Sequence, residues 1–509
     1  MLPWMPTLSE RARRIAPRPR AVLAIPALLA ALAPGVFAPA AVGAPGGGWS
    51  QPSPLAECTT GGRPQVAFPS DAPTSPTGPG AVVWLQPRGG CGEGRGLSLA
   101  VGRFDAYDRV AAVSEQALPA SPALAGASGT SLGRIAVAVP AGSPTPALRQ
   151  GRAGRHLAAV RTIEAAPGQV ALARAYLGDL AVAVVEPDHT IALYVERHYR
   201  PRFDPPVRIP IASGQVTALT ATMDYRADVL LAWQQEGSVW AHMLRQSRRP
   251  DPTQRVGPSE PDPQLTAVVS DNDHGMIAWS SSSAGRTSVR LALSAAGVSF
   301  GSIRTLASFA DPQGLAAGAG SLALVRLSTE NVLLAWTAPA AGRISVLAAP
   351  AVYAGVRRPL RLEAPGEAAL SGLAAGPAAD VVAVYRSVSG AGGGVTLMAS
   401  RISIGHHDRV RARPAEPIAA AAGLGVPAVA VDPATDRPVA VWTAGGALEY
   451  ATGTGLAGYA AHPVPEPPLS GSSVHWLRVA GAVALGLGLL AAGGWLLARR
   501  RRPRGRVAP

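Results

Sequence analysis

The chain has 509 residues, 48% hydrophobic and 15% charged, with only two cysteines, so disordered, collagenous and disulfide-scaffold classes are excluded. Gly and Pro together make up about a fifth of it and aromatics 5%, a balance that favours many short elements joined by tight turns. The net charge of +14 resides mostly at the ends: residues 1–44 carry +4 and residues 475–509 carry +7, leaving +3 for the body, which argues against a nucleic-acid partner.

At the N-terminus an Arg-bearing stretch up to Arg20 precedes the apolar run Ala21 to Ala33, and small residues follow from Ala38 to Ala44. This pattern predicts a secretory signal peptide over 1–44. Residues 45–80 are a Pro- and Gly-rich N-terminal segment. It contains Cys58; Cys91, the other cysteine, lies on the same exported side, where thiols oxidise, and a Cys58–Cys91 disulfide is expected.

From residue 81 to 462 the chain repeats itself. A short apolar run ending in Val or an aromatic recurs at Val139, Val184, Trp233, Trp279, Trp336, Tyr385 and Trp442, at intervals of 45, 49, 46, 57, 49 and 57 residues. Each anchor run is preceded by a strand-like run and a polar turn, and followed by a Gly- or Ser-bearing turn and another strand. Three or four short antiparallel strands in 45 to 57 residues make one blade of a β-propeller, and stacked blades bury both faces of each sheet. The fold class is therefore all-β: a seven-bladed β-propeller, with six or eight blades as alternatives. Leu97 to Val101 or Arg109 to Val113 is expected to close the ring.

Strings such as AVAVDPATDRPVAVWTAGGALEYATG, Ala428 to Gly453, resemble exported bacterial propellers of the sialidase-like or BNR superfamily. That resemblance implies the architecture and, as a second functional class, a glycoside hydrolase with an arginine cluster, a tyrosine nucleophile and a carboxylate partner. Arg208, Ile209 and Pro210 are similar to that family's Arg-Ile-Pro signature, but they follow Val207 rather than an aromatic and lie in mid-chain. An ordinary outer strand is the reading preferred. Asp273, Gly275 and Trp279 do not keep the spacing of the family's Asp box. No catalytic residue is nominated on this basis.

Asp271, Asn272 and Asp273 fit a tight turn better than a calcium loop. His406, His407 and Asp408 form the one local cluster with metal-ligand character; adjacent histidines on a strand point to opposite faces, so no metal site is assigned. The spacing of Tyr353, Tyr385, Arg357 and Arg358 does not separate a pocket from blade packing. Nucleophile-elbow, P-loop and dinucleotide signatures are missing, and no cofactor is implied.

Residues 463–478 are a Pro- and Ser-rich stalk. Within it Val464, Pro465, Glu466 and Pro467 resemble the tripeptide of PEP-CTERM tails, although 11 residues separate it from the apolar run that follows. Residues 479–498 are 20 uncharged positions, about 30 Å as a helix, the thickness of a bilayer core. A transmembrane helix is predicted there. Arg499, Arg500, Arg501 and Arg502 open the Arg-rich tail 499–509, which places the tail in the cytoplasm and the body outside. The expectation is a single-pass membrane protein whose ectodomain is a non-enzymatic binding or scaffold module for an extracellular protein or glycan.

Overall fold

The structure, a computed structural model, describes residues 48–455 apart from several short loop stretches. The expected signal peptide, the stalk, residues 479–498 and Arg499 to Arg502 lie outside the described residues, as do Tyr353, His406, His407, Asp408 and Asp271 to Asp273. Among the described residues no helix is long and apolar enough to cross a membrane.

The described residues form eight antiparallel sheets, each a meander of four strands; in three of them the outermost strand is split in two pieces. The sheets are the blades of a β-propeller. Blade 1 runs from Gln65–Ala67 through Ala81–Pro87 and Leu97–Phe104 to Val110–Ala117. Blade 8 takes Ala428–Asp432, Arg437–Ala444 and Ala447–Thr452, and its outermost strand is Ser53–Ala56 from the other end of the chain.

The ring has eight blades, not seven, and its closing strand is Ser53–Ala56, whereas Leu97 to Val101 and Arg109 to Val113 belong to the third and fourth strands of blade 1. The uncounted blade has its own anchor, Trp84, in Ala81–Pro87, 55 residues before Val139. The signal was present: Trp84 Nε1 donates to Gln86 two residues on, at 2.8 Å, as Trp233 Nε1 does to Gln235 at 3.4 Å.

The core is divided into eight apolar wedges among the described residues, one between each pair of neighbouring blades, the last joining blade 8 to blade 1. The second strand of each blade explains this. In Val229–Gln235, Val229, Leu231 and Trp233 pack towards blade 3, whereas Leu230 and Ala232 pack towards blade 5. A strand buried on both faces has no polar side, so its sequence is a continuous apolar run.

Each anchor faces the blade before it: Trp84 blade 8, Val139 blade 1, Val184 blade 2, Trp233 blade 3, Trp279 blade 4, Trp336 blade 5, Tyr385 blade 6 and Trp442 blade 7. The aromatic anchors are therefore wedges, at most 3% exposed, and not pocket walls.

Turn chemistry fits the same plan. Gly445 and Gly446 make a two-residue hairpin with φ of 58° and 89°, both positive as a type I′ turn requires. Such second-to-third turns, together with the connections between blades, lie on one face of the ring, here the front. The first-to-second and third-to-fourth turns lie on the back.

The disulfide joins Cys58 to Cys91, with Cα atoms 5.4 Å apart. Cys58 follows the closing strand and Cys91 sits in the second-to-third turn of blade 1, so the bond staples the end of the ring to its beginning on the front face.

Candidate functional site

The ends of the innermost strands hold two notable arginines, and both are braces. The Arg63 guanidinium donates to the backbone carbonyls of Ser371 and Pro427, each at 3.1 Å, tying the front end of blade 1 to blades 7 and 8. Enclosure by protein pulls its pKa below the usual arginine range. Arg174, at the back end of blade 3, donates to the carbonyl of Phe68 in blade 1. These guanidiniums serve opposite faces and do not converge.

Charged groups gather instead in a cleft of about 430 Å³ on the front face, between blades 2 and 3. Blade 2 contributes Arg161 and Glu164 from the end of its outer strand, Ala158–Ile163, and from the connection that follows. Blade 3 contributes Glu186 and Asp188 from its second-to-third turn, Tyr194 from Thr190–Arg197 and Arg208 from Val207–Pro210.

The groups in the cleft are interlocked. Tyr194 donates its hydroxyl to Glu186 at 3.0 Å. Arg208 donates to the other Glu186 oxygen and, at 3.0 Å, to Asp188, which also accepts from the Thr190 hydroxyl at 2.6 Å. The Arg161 guanidinium lies over the Tyr194 ring, 3.8 Å from its centroid, a cation–π arrangement. Arg208 and Asp188 are about half exposed, at 50% and 55% of the side chain, so their outer faces remain open to a ligand.

Arg208 of the Arg-Ile-Pro string therefore does enter a cleft with a tyrosine and a carboxylate. Tyr194 is only 5% exposed, and burial first, then its hydrogen bond to Glu186, push its pKa up. Its hydroxyl donates to Glu186.

A smaller cavity of about 240 Å³ lies on the back face between blades 4 and 5. It holds the Arg245–Asp251 pair, 3.2 Å apart, and His242, whose Nδ1 is 3.2 Å from the Thr253 hydroxyl. Burial lowers the His242 pKa, with Asp251 opposing.

Of the other residues singled out in the sequence, Tyr385 is fully buried, its hydroxyl bonded to the Glu363 carbonyl and 3.0 Å from Ser400, and burial raises its pKa to about 12. Arg357 and Arg358 are exposed. Among the described residues no group of three His, Cys, Asp or Glu side chains is placed to hold a metal ion.

No family model matches the chain, so the sialidase-like and PEP-CTERM resemblances gain no support from that comparison. No curated protein matches it either. Among solved structures it is similar to a mutant puromycin hydrolase complexed with PGG, at 13% identity and a TM-score of 0.35, covering 79% of this chain and 55% of that one. This chain thus spans little more than half of the hydrolase.

It is also similar to the β-propeller domain of the Trilobed protease from Pyrococcus furiosus, at 8% identity and a TM-score of 0.36, covering 78% of this chain and 98% of that one. A neuraminidase-like protein of a flat-faced bat isolate from Peru matches at 9% identity and a TM-score of 0.31, covering 58% of this chain and 88% of that one. These likenesses assign no activity; the fold itself rests on the strand pairing described above.

Proposed function

We propose that this chain is an exported, single-pass membrane-anchored propeller that acts as a binding or scaffold module for a glycan or protein partner, through the cleft between blades 2 and 3. The anchoring part of the reading rests on residues 479–498 and the Arg499 to Arg502 cluster. The binding part rests on one observation: the cleft presents guanidinium donors and carboxylate acceptors side by side, Arg161 and Arg208 against Glu164, Glu186 and Asp188.

Such a lining suits a hydroxyl-rich ligand, because each hydroxyl both donates and accepts and so pairs with either kind of group. A strongly anionic ligand would meet three carboxylates beside the two arginines.

The test is a glycan array and partner pull-down with the full chain in detergent, repeated with Arg208→Ala and Arg161→Ala. Loss of a charged hydrogen-bond donor to a ligand costs about 1.5–3 kcal/mol, so the bound partner is expected to lose roughly tenfold to a hundredfold in affinity in Arg208→Ala. Unchanged affinity in both variants would remove the cleft from the binding surface.

A further inference from the structure

The seam between blade 8 and blade 1 is the one place where the ring is closed by residues far apart in sequence. On the front face it is stapled by Cys58–Cys91. On the back face two acidic turns meet, one holding Asp105, Asp108 and Arg109 of blade 1, the other Asp432 to Arg437 of blade 8.

Asp108 is 1% exposed, in a left-handed backbone conformation with φ of 57°. Its Oδ1 is buried without a hydrogen-bond partner. The Thr435 hydroxyl stands 3.3 Å from Asp108 Oδ2 and 2.8 Å from Asp432 Oδ2, so its single proton serves two carboxyl groups. Arg437, 4.0 Å from Asp108 Oδ2 and 41% exposed, is the nearest ion-pair partner. Asp436 is a third acid in the blade 8 turn, and Asp105 and Arg109 flank Asp108 in its own turn; the Asp105 carboxylate accepts the Arg109 N–H at 2.9 Å.

We propose that this seam is a proton-dependent latch, in which Asp108 carries the proton that lets it lie against Asp432 and whose loss loosens the closure of blade 8 on blade 1. Two ionised carboxylates here would repel, Asp108 being almost closed to solvent and Asp432 half-buried, with the Thr435 hydroxyl, the Ala434 N–H at 3.0 Å from Asp432 Oδ1 and one distant guanidinium to offset them. A protonated Asp108 becomes a donor to Asp432 and removes the repulsion. In keeping with this, burial first, then the charge and hydrogen bond of Asp432, raise the Asp108 pKa to about 7, against opposing contributions from Thr435 and Arg437.

The direction of the effect follows from linkage. Between about pH 4 and pH 7 the folded chain holds a proton on Asp108 that the unfolded chain has released, so stability falls as pH rises across that window and levels off above it.

The experiment is thermal unfolding of the full chain in detergent at pH 5 and pH 8, with hydrogen exchange at Ser53–Ala56 corrected for intrinsic rate. Asn accepts the positive φ at this position, so Asp108→Asn is the direct variant. Asp432→Asn, which removes the facing charge but keeps an acceptor for Thr435, is the second.

The wild-type melting temperature is expected to fall by roughly 3 °C more than that of either variant between pH 5 and pH 8, with faster exchange in the closing strand at pH 8 in wild type only. Equal pH profiles in wild type and both variants would overturn the latch. So would a calcium-induced rise in melting temperature that Asp108→Asn abolishes, since the two acids would then be a cation site and not a shared proton.

Discussion

Trp442→Ala is expected to lower stability by about 3–5 kcal/mol, read as a reduced denaturation midpoint in urea at unchanged slope. Trp442 is fully buried in the wedge between blades 7 and 8, against Val382, Val384 and Leu397. Its truncation leaves a cavity that two packed sheets cannot close, and it removes the Nε1 donor to Glu449 at 3.1 Å. Trp279→Ala, in the wedge between blades 4 and 5, should cost a similar amount, because its side chain is equally buried and its Nε1 donates to the Pro258 carbonyl at 3.2 Å. A Trp→Ala loss below about 1 kcal/mol at both positions would mean that the wedges are not where the ring's stability resides.

Replacing both cysteines, Cys58→Ser with Cys91→Ser, is expected to cost about 4 kcal/mol, the chain-entropy value for a loop of this length. The position of the bond concentrates that loss. The closing strand Ser53–Ala56 has four residues, and its pairing with Ala447–Thr452 shifts register between Pro54 and Ala56, so few ladder bonds hold it. Without the disulfide this strand should exchange its amides and be cut by protease before any other blade opens. If the double variant instead loses protection evenly around the ring, the staple acts on the unfolded chain alone.

The anchors were legible because a strand sandwiched between two neighbours must be apolar at every position, and that leaves a run such as VLLAW or VVAVY that is visible without knowing its partners. Trp84 carries the same run and the same Trp-x-Gln spacing as Trp233, but the inner strand of its blade is Gln65–Ala67. Those residues lie in a stretch whose Pro and Gly content reads as a linker, so the eighth blade was missed.

The cleft was only partly legible. Arg208 was singled out through its Arg-Ile-Pro context, yet nothing local marks Glu186, Asp188 or Tyr194, and Arg161 belongs to a different blade. Asp108 carries no sequence signal of its own. Its burial and its raised pKa exist only because a turn 324 residues later, at Asp432, is brought against it.

The sequence alone determined an all-β chain of repeated meanders, the identity of the doubly buried strands and the pairing of its two cysteines. These follow from local periodicity and from there being one possible partner. The tertiary structure decided the number of blades, which strand closes the ring, where Arg208 and Arg161 meet and which acids face each other across the seam. Each of these depends on how the rotation between neighbouring sheets accumulates around an axis, and that sum is not written in any single repeat.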